Sequence, residues 1–181
     1  MPSVAYPNAK STKSRTVIYL VKRVKEDLVM EENKSITEEN TSNEYSLIYL
    51  STITGGDIIE IGVIKFRNNT LIERYSTVIK PTRPVEEVIN ETTEITKQEL
   101  ENADTIDKVM PKVLEIIGDS TILSRNGTTT RDILDSQCKQ IGLKISNPYK
   151  DIKDLSKEEY NQMKTSILDL LSESIGLVSK A

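Results

Sequence analysis

Three short apolar segments joined by tight links constrain the fold of this chain more than any other feature. They are residues 46–50, 58–66 and 71–79. Each is rich in the β-branched and apolar residues typical of strands. Asn68 and Asn69 separate the second segment from the third, and Pro81 follows the third. Asn tolerates the left-handed backbone of hairpin turns, so the sequence predicts an antiparallel three-stranded meander.

Helical patterns alternate with short strands in the second half of the chain. Thr96 with Glu99, and Ser156 with Glu159, are capping-box pairs that predict helix starts. Pro111 interrupts an apolar helical face, so it predicts either a kink or the true start of that helix. Further helices are predicted over 109–117 and 128–141, and strands over 121–123 and 149–152. The order predicts an α/β fold with a mixed sheet and helices on its faces.

Charge divides the N-terminal quarter of the chain into two blocks. Residues 1–25 carry six basic side chains and no acid, whereas residues 26–45 carry seven acids and one lysine. Like charges in blocks seldom pack, which favours tail and linker segments. We predict a disordered basic arm over 1–15, a short amphipathic segment over 16–30, an acidic linker over 31–44 and a folded domain over 45–178. The apolar residues within 16–30 fit either a helix or a strand.

The chain has no histidine and one cysteine, Cys138. These counts exclude His-dependent triads, zinc hydrolases with histidine ligands and an internal disulfide. We expect Cys138 to be a small buried apolar residue of its helix. No stretch approaches the roughly 20 apolar residues of a membrane span, and the N-terminus lacks the pattern of a secretory signal. The composition therefore predicts a cytoplasmic protein with no membrane contact.

Residues 49–63 have the sequence Tyr-Leu-Ser-Thr-Ile-Thr-Gly-Gly-Asp-Ile-Ile-Glu-Ile-Gly-Val. This segment resembles the opening of the DEDDh-type 3′ to 5′ exonucleases, which are relatives of the epsilon proofreading subunit of bacterial DNA polymerase III. In that family one strand ends in Asp-Thr-Glu-Thr-Thr-Gly and the next begins Ile-Ile-Glu-Ile-Gly. The similarity continues at 78–81, 93–96 and 124–130, and it extends over about residues 46–175. It implies a ribonuclease-H-like fold, and active members use two divalent ions held by carboxylates.

The catalytic residues of the family fall on five positions that carry neither a carboxylate nor a histidine. These five aligned positions are Ser51, Ile53, Thr130, Tyr160 and Thr165. A shift of one residue in the last motif gives Asn161 and Ser166 instead. Hydroxyls and an isoleucine do not replace the oxygen ligands that dehydrate divalent ions. We therefore interpret the five as degenerate active-site positions. From these departures from the family pattern we expect no catalytic residue, no metal and no cofactor.

The sequence favours a non-catalytic protein that works as a binding or regulatory module. We expect a protein partner linked to replication or nucleic-acid processing.

A first alternative is a divergent metal-dependent 3′ to 5′ exonuclease with a relocated carboxylate cluster: Asp57, Glu60, Asp132, Asp151 and Asp154. A second is a metal-free nucleic-acid-binding protein, whose contacts would come from Arg125, Asn126, Lys22, Arg23 and Lys25. Residues 46–181 sum to −4, so we expect nucleic-acid binding to be weak. Asn126 is alternatively a helix cap.

Overall fold

The computed structural model describes residues 44–68, 70–91, 95–161 and 163–164. The strands are β1 (Glu44–Thr52), β2 (Ile58–Arg67), β3 (Thr70–Val78), β4 (Thr121–Ser124) and β5 (Tyr149–Asp151). The helices are α1 (Val85–Val88), α2 (Lys97–Asn102), α3 (Ile106–Ile117), α4 (Gly127–Gln140) and α5, which begins at residue 157 and is described as far as residue 164. Short 3₁₀ turns cover Ile89–Glu91 and Ile152–Asp154.

The five strands form one mixed sheet in the order β3-β2-β1-β4-β5. β1, β2 and β3 pair antiparallel, while β4 is parallel to β1 and β5 is parallel to β4. Asn68 has a φ of +45°, the left-handed conformation expected in the β2–β3 turn. The predicted meander and the α/β, ribonuclease-H-like fold class are therefore confirmed.

Alternating residues of β1 face two separate apolar clusters on opposite sides of the sheet. Ile48 belongs to the first-face cluster, which also contains Val113 of α3 and Leu134 of α4. Leu47 belongs to the second-face cluster, which includes Met163 of α5. A turn cluster beyond the end of β1 joins the sheet to α1 and α2: Ile53, Ile59, Val78, Val85, Val88, Ile95 and Leu100. Helices therefore cover both faces of the sheet.

Both predicted capping boxes are present. At α2 the Thr96 side chain accepts from the Glu99 N–H at 3.2 Å, and Glu99 Oε2 accepts from the Thr96 N–H at 2.7 Å. At α5 the Ser156 N–H donates to Glu159 Oε2 at 2.8 Å, and the Glu159 N–H donates to Ser156 Oγ at 3.1 Å. These bonds satisfy N–H groups that a helix start otherwise leaves unpaired.

Pro111 lies inside α3, which begins five residues earlier at Ile106. The alternative that Pro111 marks the start of this helix is therefore wrong. Pro111 is exposed, and the apolar residues Val109, Val113 and Ile117 continue past it on the buried side. Packing of this face against the sheet stabilises the helix although proline supplies no backbone N–H.

The predictions for the N-terminal segments fall almost wholly outside the described residues. This applies to the arm over 1–15, to the segment over 16–30 and to the linker over 31–44, of which Glu44 alone is described, as the first residue of β1. Cys138 is fully buried in α4, as expected. Among the described helices, none has the length and apolar composition needed to cross a bilayer.

Candidate functional site

Ser51 and Glu60 face each other at the carboxyl end of β1. They are paired across β1 and β2, so their side chains lie on the same face of the sheet. Glu60 is only 4% exposed, whereas Ser51 is partly buried. The first aligned position therefore lies beside a buried carboxylate. The signal in the sequence is a charged residue between Ile59 and Ile61, but the sequence alone does not place Glu60 beside Ser51.

Tyr160, the fourth aligned position, lies on the same side of the sheet as Ser51. Tyr160 and Tyr49 both pack against the second-face cluster, and Tyr49 is two residues before Ser51 on β1. Residues two apart on a strand share a face. The fold thus places the Ser51 and Tyr160 positions on one side of the sheet.

Glu159 anchors α5, and with it Tyr160, to the sheet. Its carboxylate accepts hydrogen bonds from the Tyr45 hydroxyl of β1 and forms an ion pair with Lys150 of β5 at 3.3 Å. Burial alone would raise the pKa of the Glu159 carboxyl, but the bonds from Tyr45 and the Ser156 N–H, with the charge of Lys150, hold it below its ordinary value. Burial, and then the bond to Glu159, raise the pKa of Tyr45 and keep its hydroxyl protonated.

We expect the Glu159→Gln substitution to weaken the fold at neutral pH and to flatten its acid sensitivity. The pKa of Glu159 is lower in the folded than in the unfolded chain, so its contribution is present above the unfolded value of about 4.5 and is lost as the pH falls through the folded value. Urea unfolding at several pH values between about 7 and 3 measures this. Glu73→Gln, at an exposed acid of β3, is the matched control. Equal pH dependence in the two variants would contradict the assignment.

Thr130, the third aligned position, lies in the first turn of α4 at the carboxyl edge of the sheet. Leu47 pairs with Leu123 in the parallel β1–β4 ladder. Ser51 and Gly127 are each four residues beyond that pair, and Gly127 is the first residue of α4. Parallel strands end at the same edge of a sheet, so Ser51 and Thr130 lie at a common edge. The side chains of α4 pack on the first face, opposite to Ser51.

Asp151, at the end of β5, binds the start of α4. Its Oδ2 accepts from the Gly127 N–H at 3.3 Å, and its Oδ1 accepts from the Lys153 N–H at 3.1 Å. Asn126 occupies the N-cap position but its side chain makes no capping hydrogen bond, so its interpretation as a side-chain cap is wrong. A negative group here complements the helix dipole. Sequence reasoning missed this role, since nothing local links Asp151 to residue 127.

Ile53, the second aligned position, is part of the turn cluster. Its side chain is 6% exposed and packs in the cluster with Val85 and Val88 of α1 and Leu100 of α2. The position that the resemblance assigns to a metal-binding glutamate is therefore occupied by a core residue. A charged side chain buried in this apolar cluster would lose much of its hydration, which is costly.

The turn between β1 and β2 is held by two neighbouring elements, the connection from β3 to α1 and helix α4. Asp57 Oδ2 accepts from the backbone N–H of Thr82 at 3.1 Å and also from its hydroxyl. Arg83 Nη1 donates to the carbonyl of Thr54 at 2.9 Å. Gln137 Nε2 of α4 donates to the carbonyl of Gly56 at 3.4 Å. Gly56 has a φ of +91°, which favours glycine, so the turn has a defined shape next to the Ser51 position.

The proposed relocated carboxylates do not converge. Within the ranges that the structure describes, no three His, Cys, Asp or Glu side chains are grouped so that they could hold a metal ion. Asp57 is bonded to Thr82, Asp151 lies at the start of α4, and Asp132 and Asp154 are exposed. The prediction of a relocated cluster is therefore wrong for these described residues.

The candidate nucleic-acid contacts are only partly described. Arg125 and Asn126 are exposed in the connection between β4 and α4. Lys22, Arg23 and Lys25 lie outside the described residues, as does Thr165, the fifth aligned position. The assignment of these residues to nucleic-acid or partner contact stays a prediction.

A family model described as Exonuclease (RNase_T) matches residues 48–181. The chain is 30% identical over 151 residues to the DNA polymerase III PolC-type of Thermotoga maritima, covering 80% of this chain and 11% of that protein. It is 28% identical over 145 residues to the PolC-type polymerase of Clostridium perfringens, covering 77% and 10%. The chain thus spans about a tenth of the length of the curated relatives that it matches.

Among solved structures, the chain is similar to exonuclease X in complex with 5′ overhanging duplex DNA, with a TM-score of 0.46 and 14% identity over 74% of this chain and 92% of that one. The family model covers well over half of the chain and includes the strands β2 to β5 together with most of β1. The resemblance found in the sequence is therefore confirmed, and this chain belongs to the DEDDh-type exonuclease family.

Proposed function

We propose that this chain is a non-catalytic member of the exonuclease family and works as a binding or regulatory module. The observation that carries the proposal is the environment of Ile53, which is buried in the turn cluster where the resemblance assigns a metal-binding glutamate. Two-metal hydrolysis needs several carboxylates to neutralise and orient the ions. A buried isoleucine in an apolar cluster supplies none of that chemistry.

The residues around Ser51 support the same proposal. Glu60 supplies one carboxylate on the face of Ser51, while Tyr160 on that side of the sheet is a tyrosine, and Thr130 at the common edge is a threonine. One carboxylate with neutral hydroxyls is a poor site for a divalent ion, because Mg²⁺ gives up its water reluctantly. Ser51, Ile53, Thr130 and Tyr160 are therefore proposed as remnants of an active site.

The partner that we propose is a protein of the replication or nucleic-acid processing machinery. The names of the relatives, DNA polymerase III PolC-type, support this choice. Charge supports a protein over a nucleic acid, since residues 46–181 sum to −4 and the carboxylate of Asp151 already binds the N-terminus of α4. The proposal includes the cytoplasmic location expected from the composition.

A nuclease assay tests the proposal directly. We expect purified full-length protein to leave labelled single-stranded and duplex DNA and RNA intact with Mg²⁺ or Mn²⁺. The matched variant is Glu60→Gln, which removes the buried carboxylate beside Ser51. Metal-dependent shortening from the 3′ end in the wild type that is lost in Glu60→Gln would overturn the proposal in favour of a divergent exonuclease.

A measurement of nucleic-acid binding distinguishes the proposed function from the remaining alternative, a metal-free nucleic-acid-binding protein. Phosphate contacts make nucleic-acid binding weaken steeply with salt. We expect little binding of single strands at about 150 mM salt, and affinity capture of a protein partner instead. Tight binding at low salt that is lost in an Arg125→Ala variant would favour the metal-free nucleic-acid-binding protein.

A further inference from the structure

Asn126 and Gly127 form an Asn-Gly sequence at the start of α4. Asn126 is exposed, and its side-chain amide makes no capping hydrogen bond although it occupies the N-cap position. Gly127 is the first residue of the helix. In such a sequence the backbone nitrogen of the glycine can attack the side-chain amide carbon of the asparagine, because the glycine has no Cβ to hinder the approach. Asn126 is therefore a candidate for chemical modification.

The conformation of Asn126 keeps the two reacting atoms apart. Its ψ of +74° places the Gly127 nitrogen anti to the Asn126 Cβ about the Cα–C bond. The carbonyl of Asn126 accepts a hydrogen bond from the Thr130 N–H at 2.8 Å, which fixes this conformation as part of the first helical turn. The Gly127 nitrogen can therefore reach the side-chain carbon only when the start of α4 opens.

We propose that Asn126 is a site of spontaneous deamidation and that Asp151 limits the reaction by holding the start of α4 closed. Asp151 Oδ2 accepts from the Gly127 N–H at 3.3 Å, so the carboxylate binds the same nitrogen that attacks in the reaction. The side chain of Asp151 is only 13% exposed, which shields this hydrogen bond from much of the competing water. The negative charge also complements the helix dipole.

The end of β5 packs directly on the start of α4. A Cβ added at Gly127 would lie 3.4 Å from the backbone nitrogen of Asp151 and 3.6 Å from its Cα. Opening the start of α4 therefore also separates the helix from β5, which makes the open state less populated. The same contact holds the Asp151 carboxylate beside the reactive nitrogen.

The reaction needs water as its only other reactant. The Gly127 nitrogen loses its proton and forms a bond to the Asn126 side-chain carbon, and the amide nitrogen leaves with that proton as ammonia. Water then opens the resulting succinimide ring at either carbonyl, which gives aspartate or isoaspartate at position 126. Either product adds a negative charge close to Asp151. Isoaspartate also reroutes the backbone through the side chain, which would disrupt the bond to the Thr130 N–H.

Prolonged incubation of the full-length protein at mildly alkaline pH, followed by peptide mapping with mass spectrometry, tests the proposal. Asn126 should deamidate at least about 10-fold more slowly than in a synthetic peptide of residues 122–131, because only the open fraction of the protein reacts. Asp151→Ala should accelerate the reaction at least about 5-fold, since it removes a charged hydrogen-bond acceptor. Asp154→Ala, at an exposed acid nearby, is the matched control and should leave the rate unchanged.

Amide hydrogen exchange provides an independent measure of the same opening. The Thr130 N–H is released when the start of α4 opens, so Asp151→Ala should raise its exchange rate by about the same factor as the deamidation rate. The amides of α3 show whether each variant remains folded. Asp151→Asn removes the charge but keeps the shape of the side chain, and it replaces Asp151→Ala if that variant unfolds.

Four results would overturn the proposal. Absence of deamidation at Asn126 in both the wild type and Asp151→Ala would show that the sequence does not react. A wild-type rate equal to that of the peptide would show that the helix start gives no protection. Equal rates in Asp151→Ala and Asp154→Ala would show that Asp151 does not hold the start closed. Faster deamidation with unchanged exchange at Thr130 would show that Asp151 acts by some route other than opening of α4.

Discussion

The single substitution Ile53→Glu, which introduces the residue that the family carries at this position, is expected to unfold part of the population. The substitution places a carboxylate in the turn cluster, where Ile53 is 6% exposed among apolar side chains. Loss of the apolar side chain and burial of an unpaired charge together should lower the free energy of unfolding by at least about 3 kcal/mol. Urea unfolding at neutral pH measures the change.

Two control variants isolate the cause. Ile53→Val keeps the position apolar and should cost about 1 kcal/mol. Thr52→Glu adds the same charge one residue earlier at an exposed side chain, and it should change stability by less than about 0.5 kcal/mol. If Ile53→Glu is as stable as Thr52→Glu, the side chain at position 53 reaches solvent and the main support for a non-catalytic role is lost.

Simultaneous replacement of all five aligned positions is expected to give a protein that Mn²⁺ stabilises. The changes are Ser51→Asp, Ile53→Glu, Thr130→Asp, Tyr160→His and Thr165→Asp. An ion at 100 times its dissociation constant adds about 2.7 kcal/mol, which corresponds to a rise of roughly 5–10 °C in Tm for a chain of this size. The wild type should show no such rise. Thermal unfolding with and without Mn²⁺ makes the comparison.

A variant that lacks one of the introduced carboxylates tests whether the Mn²⁺ effect depends on the rebuilt site. Replacing Ser51 by Asn in place of Asp, with the other four changes kept, preserves shape and removes one carboxylate, so most of the Mn²⁺ effect should be lost. A fourfold variant that retains Ile53 covers the case in which the fivefold variant is too unstable. An equal rise in Tm for the wild type and the fivefold variant would contradict the assignment of these positions.

Local sequence signals predicted most of the fold. The capping boxes at Thr96 and Ser156 and the turn at Asn68 depend on residues within four positions of each other, so one sequence contains all the information needed. The effect of Pro111 was harder to predict from the sequence, because α3 continues through this residue by packing its buried side on the sheet. Such packing joins residues that are distant in the chain, and sequence patterns do not report it.

The candidate site was predicted less completely than the fold. The motif identified Ser51 and Ile53 as aligned positions, but the burial of Ile53 against α1 and α2 depends on how those helices fold back on the turn. The pairing of Ser51 with Glu60 depends on the strand register, which includes a bulge at residues 51 and 52. Asp151 reaches the start of α4 only because β5 lies beside β4. Each of these contacts joins elements that fold together in space, so sequence patterns alone do not predict it.

The Ser51–Glu60 pair has a consequence for the evolution of this chain. An aspartate introduced at position 51 alone would face the buried carboxylate of Glu60, and two like charges opposite each other on paired strands destabilise a sheet. The residue that position 51 can carry is therefore coupled to the residue at position 60, and an acidic residue at both positions requires a compensating positive charge.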